Sequence, residues 1–167
     1  MTHLKKILVP IDGSPASVEA LWRAVTLAED VGATVAVLHV DAPDQFEVGS
    51  GTSTAPGARQ QADRQMDEAI QGARSKLGDR LSSRRVSGDP VRRILEAAAN
   101  EEIDLIAIGT QGRVGRLHAL VGSVAEAVVR SSSCPVMTVR QPDGEEESFS
   151  ERIHGRQQLA EQARPHR

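Results

Sequence analysis

Short apolar runs alternate with stretches of helical period along this chain, and that alternation limits the folds open to it. Ile7-Leu-Val9 is a continuous apolar run, as in a strand buried on both faces. Ser14-Pro15 then supplies an N-cap and a first-turn proline. Val18, Leu21, Trp22, Val25 and Ala28 follow on one helical face, and Gly32 stops that helix. Thr34 to Val40 is β-branched and apolar and reads as the second strand. Residues 41–58 hold Pro43, Gly49, Gly51, Pro56 and Gly57 and read as a long mobile loop. Ala62, Met66, Ala69, Ile70, Ala73 and Leu77 mark a second helix ending at Gly78. Leu81 to Ser87 is a more polar strand, suited to a sheet edge. Asp89-Pro90 opens a third helix with Val91, Ile94, Leu95 and Ala98 inward. Asp104 to Ile108, a helix over Val124 to Arg130 and Pro135 to Val139 complete the series. The alternation predicts an α/β domain with a parallel sheet and right-handed crossovers.

The fourth strand runs into Gly109-Thr-Gln-Gly112, then nine residues, then Gly122-Ser123. A glycine loop that ends on a helix N-terminus presents free backbone N–H groups and a favourable dipole to an anion. The loop predicts phosphate binding, with a nucleotide as the ligand. Two common patterns fail here. No run has the Gly-x-x-x-x-Gly-Lys-Ser/Thr form of the lysine-bearing P-loop. The dinucleotide fingerprint needs Gly-x-Gly directly after a strand, whereas these glycines stand three apart, with Gly115 a further three on.

The spacing of Gly109, Gly112, Gly122 and Ser123 resembles that of the universal stress protein family. Three flanking segments resemble it too: Lys5-Lys-Ile-Leu-Val-Pro-Ile-Asp12-Gly-Ser14, Val86-Ser-Gly88-Asp-Pro90 and Ser133-Cys-Pro-Val136-Met-Thr-Val139. The resemblance spans about Leu4 to Arg140. It implies a Rossmann-like, adenine nucleotide alpha hydrolase-like open sheet of five parallel strands in the order 3-2-1-4-5, with helices on both faces. Asp12 and Gly109 then end two neighbouring strands whose connections leave in opposite directions, where ligands bind in open α/β sheets. The resemblance further implies ATP as the ligand, with Mg2+ accompanying it, and a homodimer through Val136 to Val139. A bare apolar edge at that strand gives the dimer a physical ground.

Each candidate residue also has a plainer role. The resemblance makes the Asp12 carboxylate an adenosine contact, yet Asp-Gly commonly makes a turn. It places Pro10, Ile11 and Val40 at the adenine side, yet strand ends pack in this way anyway. Gly109, Gly112 and Gly122 would let backbone approach phosphate, where a Cβ would block contact, or would simply turn the chain. Thr110, Gln111, Gly115 and Val124 join the same nucleotide-binding set. Ser123 either contacts the ligand or caps its own helix, since Ser123-Val-Ala-Glu126 fits a capping box. Arg113 and Arg116 would neutralise phosphate charge or sit in solvent. His118 lacks a partner for catalysis, and His39 reads as a core histidine.

Composition narrows the function classes. The 167 residues suit one domain, expected over residues 1–140, with a polar, flexible tail over residues 141–167. A net charge of −3 and 2% aromatics exclude a basic, base-stacking nucleic-acid surface. No window reaches the length of a membrane span, and no signal-peptide pattern opens the chain. Cys134 stands alone, so it forms no internal disulfide. A cytoplasmic protein is expected. The resemblance points to an ATP-binding stress-response regulator or sensor with an unknown protein partner, or to a nucleotide-free scaffold from the same family. Nucleotidyl transferases and ATP pyrophosphatases of related fold need a His-x-x-His-type or Ser-Gly-Gly-type loop after the first strand. Asp12-Gly-Ser-Pro15 stands there instead, so at most slow ATP hydrolysis, without a dedicated base, is expected.

Overall fold

The computed structural model describes residues 4–42, 57–110 and 122–140. The strands are β1 (Lys6–Pro10), β2 (Thr34–Asp41), β3 (Leu81–Ser87), β4 (Leu105–Gly109) and β5 (Val136–Val139). The helices are α1 (Pro15–Val31), α2 (Ala58–Leu77), α3 (Pro90–Asn100) and α4 (Ser123–Ser131), and a 3-10 turn at Gly78–Arg80 joins α2 to β3. The expected elements form with small shifts at their ends. The largest is at α2, which begins at Ala58, two turns before its first large apolar contact, Met66. Most of the segment read as a loop, residues 43–56, lies outside the described residues, as does the tail from residue 141.

The sheet is wholly parallel, in the order β3-β2-β1-β4-β5. Along β1 and β2 the side chains alternate between two cores. Ile7, Val9, Val35 and Val37 pack with Leu21, Trp22 and Val25 of α1 and Met66, Ala69 and Ala73 of α2. Leu8, Leu38, Ile106 and Ile108 pack on the other face with Ile94 and Ala98 of α3 and Ala125 and Val128 of α4. Strand addition runs outward from β1 to β3, then reverses and resumes at β4. A connection of constant hand moves to the opposite face when that direction reverses. The continuous apolar runs are therefore buried from both sides, as their lack of alternation requires.

The ends of α1 and the start of α3 are closed as the residue types predict. Ser14 accepts from the Ser17 N–H, and Gly32 adopts a left-handed φ of 74° at the end of α1. Asp89 caps α3 by accepting the Arg92 N–H at 2.7 Å. Arg80 donates from one guanidinium nitrogen to the carbonyls of Ala28 and Ala33, tying the end of α1 to the turn before β3. No helix among the described residues is long and apolar enough to cross a membrane.

Pairing of β1 with β4 is short. It matches Ile7 with Leu105 and Leu8 with Ile106, whereas β1 pairs with β2 as far as Pro10 and β4 with β5 as far as Gly109. Proline accounts for the difference. The Ile11 N–H donates to Leu38 of β2, so by alternation the Pro10 nitrogen faces β4, where it has no hydrogen to give. The two central strands are thus left unladdered at their carboxyl ends.

At the opposite end of the sheet Asp104 holds the chain together. Its Oδ2 accepts the backbone N–H groups of both Lys5 and Lys6 at 2.9 Å. Those two bonds hold the Asp104 carboxyl below the usual carboxylate range. A depressed folded-state pKa contributes stability that is present above the ordinary carboxylate pKa and is lost as pH falls through the folded value. Asp104→Asn is expected to melt at a lower temperature than the parent at pH 7. The gap should close in melts carried down towards pH 3. A gap that stays constant with pH would show that the charge of Asp104 is not what matters.

Candidate functional site

Two helices, α1 and α4, begin beyond the carboxyl ends of β1 and β4, and their N-termini differ. At α1 side chains take up several of the donors. Asp12 Oδ1 accepts the Ser14 N–H at 2.9 Å and the Ser14 hydroxyl at 2.6 Å. The Ser14 Oγ accepts the Ser17 N–H at 3.3 Å. The Ser17 hydroxyl donates to the Ser14 carbonyl at 2.9 Å and accepts the Asp12 N–H at 3.3 Å. This closed ring of bonds is the turn role of Asp12. It also fixes the carboxylate at the mouth of the sheet, where the adenosine role would need it.

At α4 the N-cap is Gly122, with φ −70° and ψ 154° and no side-chain cap among the described residues. The capping-box expectation for Ser123 is corrected. Ser123 is the first helical residue and is exposed, and the Glu126 carboxylate pairs with Arg130 at 2.8 Å. A residue already in helical conformation cannot turn its side chain onto the N–H groups of its own first turn. The Gly122 N–H itself donates to the Thr110 carbonyl. The N–H groups of Ser123, Val124 and Ala125 belong to the first turn, which has no intrahelical acceptors for them.

Thr110 links the two sides of this mouth. Its N–H donates to the Val139 carbonyl at 2.8 Å, and its carbonyl holds Gly122. The residue is 2% exposed, and its Oγ1 has no hydrogen-bond partner among the described residues. Such a group is costly unless something satisfies it.

The reason for glycine at position 109 differs from the one expected. A Cβ there would stand 2.7 Å from the Ala16 carbonyl carbon and 2.7 Å from the Ser17 nitrogen. Glycine lets the end of β4 lie directly on the first turn of α1, whatever else it permits. Gly13 does the same on the other side: at φ 79°, a Cβ on it would run into the Ala62 backbone of α2.

The remaining candidates fall in several places. Pro10 ends β1 and is buried. Ile11 is 3% exposed and packs in the α1/α2 core, while Val40 packs in the α3/α4 core, so the two reach the mouth from opposite faces. Gly109, Thr110, Gly122, Ser123 and Val124 come together around the start of α4. Gln111, Gly112, Arg113, Gly115, Arg116 and His118 lie outside the described residues. His39 is a core histidine as expected, but it also reaches the site. Its Nδ1 lies 2.8 Å from the Ile11 carbonyl, the peptide that leads into Asp12. No pattern along β2 signals this connection, because Ile11 lies on a distant segment of the chain.

A model of the universal stress protein family matches residues 3–140. The chain belongs to that family. A curated universal stress protein of Methanocaldococcus jannaschii is 34% identical over 148 residues, covering 84% of this chain and 85% of the relative. The solved structure of a universal stress protein from Lactobacillus plantarum superposes with a TM-score of 0.65 at 25% identity, covering 84% of this chain and 100% of the other. A universal stress protein solved in complex with cAMP superposes at 0.62 with 24% identity, covering 84% and 100% of the two chains. The Rossmann-like five-stranded sheet is common to these structures and this one.

Thr110 permits a direct test of the mouth. Thr110→Val keeps the side-chain shape and removes the unpartnered hydroxyl. The free protein is expected to melt at or slightly above the parent temperature, because an unsatisfied buried group costs about 1–3 kcal/mol. A drop of several degrees would show that the hydroxyl is bonded in the fold itself.

Proposed function

We propose that this universal stress protein binds an adenine nucleotide, ATP with its Mg2+, at the mouth between β1 and β4, and that it acts as a nucleotide-dependent regulator of a stress response in the cytoplasm. The observation that carries this reading is the contrast between the two helix starts. The start of α1 is closed by Ser14 and Asp12, and the start of α4 has no side-chain cap among the described residues. Backbone N–H groups of Ser123 and Val124 would meet the phosphates, with the α4 dipole adding to the attraction. The Thr110 Oγ1 would find its partner on the ligand. Asp12, Pro10, Ile11 and Val40 would line the nucleoside side. Gln111, Gly112, Arg113 and Gly115 belong to the same proposed set by their place in the glycine loop. The cAMP held by a structural relative supports adenine as the base. The reading assigns no dedicated general base, so binding rather than turnover is the proposed activity.

Thermal melts with millimolar ATP-Mg2+ test this. At about a hundred times the dissociation constant, a ligand adds roughly 2.7 kcal/mol of stability. Ser123→Asp is the informative variant, because Gly109 serves the fold itself. An aspartate in the first turn of α4 suits the helix dipole, worth about 0.3–1 kcal/mol, and it repels phosphate. The variant should melt no lower than the parent and lose most of the ATP-induced shift. A parent that shows no shift would return the chain to the nucleotide-free scaffold reading.

The proposed assembly is a homodimer through β5. This strand closes one edge of the sheet, and Val136 and Met137 are half-buried there. An edge of this kind offers unpaired backbone groups to a second copy. Light scattering at micromolar concentration should give the mass of a dimer, and the mass of a single chain would overturn the assembly.

A further inference from the structure

His39 is placed to do more than fill the core. Its side chain is buried on the α1/α2 face of β2, at 7% exposure, and both ring nitrogens meet oxygen atoms. Nδ1 lies 2.8 Å from the Ile11 carbonyl, and Nε2 lies 3.1 Å from Asp41 Oδ1. A carbonyl only accepts, so Nδ1 must carry hydrogen. An ionised carboxylate only accepts as well, so Nε2 needs one too if it is to donate there. The neutral ring satisfies one of these partners and turns a lone pair on the other. Only a doubly protonated ring donates to both, and it would tie the peptide entering Asp12 to the end of β2.

Charged groups from several elements lie near the ring. Asp41 of β2 also faces Arg85 of β3, at 3.8 Å, and Arg85 reaches Asp63 of α2 at 3.7 Å. The Asp41 carbonyl accepts the Gly88 N–H at 3.1 Å. On the β1 side the charged neighbour in sequence is Asp12, itself bonded to Ser14. Asp41 thus contacts the histidine, and Arg85 stands between Asp41 and Asp63. The whole group adjoins the mouth of the sheet.

We propose that His39 is a proton-linked positioning residue for the adenine-nucleotide site, so that binding strengthens as pH falls through the titration of the ring. This rests on the function proposed above. The protonated ring fixes the Ile11–Asp12 peptide, and with it the Asp12 carboxylate, and brings a positive charge towards a polyphosphate. By linkage, bound nucleotide should hold the proton on the ring.

The test pairs two measurements on the full chain. ATP affinity is measured by calorimetry at pH 5.5 and pH 8 for the parent, His39→Gln and Asp41→Asn. The ring nitrogens of His39 and the amides of Ile11 and Asp12 are followed by NMR over the same range without nucleotide. The terminal phosphate of ATP titrates in this window as well, so the effect is read as the difference between parent and His39→Gln. The parent is expected to bind about tenfold more tightly at the lower pH, the equivalent of one pKa unit of linkage, beyond any change seen in His39→Gln. Asp41→Asn should shift the ring titration to lower pH. Equal pH dependence in the parent and His39→Gln would overturn the proposal. So would a ring that gains no second proton above pH 5, whatever the affinities. If ATP fails to bind at either pH while the ring and the two amides titrate together, the nucleotide reading falls, and with it the regulatory role. The His39 link to the Asp12 peptide would then stand as a structural one.

Discussion

The candidate site depends on two backbone contacts that only glycine allows. Gly109 brings the end of β4 against Ala16 and Ser17, and Gly13 brings the turn before α1 against Ala62. No side chain intervenes at either place. The first turn of α1 is therefore wedged between a central strand and α2. A methyl group at either glycine would meet main-chain atoms, which cannot swing aside as the end of a flexible side chain can.

This wedge decides the electrostatics of the mouth. Both α1 and α4 point their positive ends towards it. At α1 the positive end is answered within the chain by the Asp12 carboxylate and the Ser14 hydroxyl. At α4 the N-cap is a glycine, and the nearby threonine spends its backbone on Val139 and Gly122. Among the described residues, the side chains that answer a positive helix end thus lie on the α1 side of the mouth. Pro10 contributes by ending the β1–β4 ladder early, so the two central strands are unpaired at their carboxyl ends.

Local patterns in the sequence were enough to find the elements. Ser14-Pro15, Gly32 and Asp89-Pro90 marked helix boundaries because capping chemistry acts within a few residues. The polar strand Leu81–Ser87 lies at an edge, as its composition required. Of the two roles left open for Ser123, the cap does not form, for a related reason. A capping box is a four-residue signal, and one step in register, with Gly122 taking the cap, turns the same residues into an ordinary first turn. His39 was read as core, and it is, but its contact with the Ile11 carbonyl joins β2 to the segment leaving β1. No period along one strand reports a partner on another.

The sequence by itself determined the alternation of strands and helices, the place of the glycine loop after the fourth strand and the membership of a family. These follow from residue type and short-range spacing, which are written along the chain. Tertiary structure alone decided that the Gly122 cap is tied to Thr110, why position 109 must be glycine, and that a buried histidine touches the peptide before Asp12. Each of those depends on groups distant in sequence meeting at a few ångströms, and that proximity exists only once the sheet has closed around its two cores.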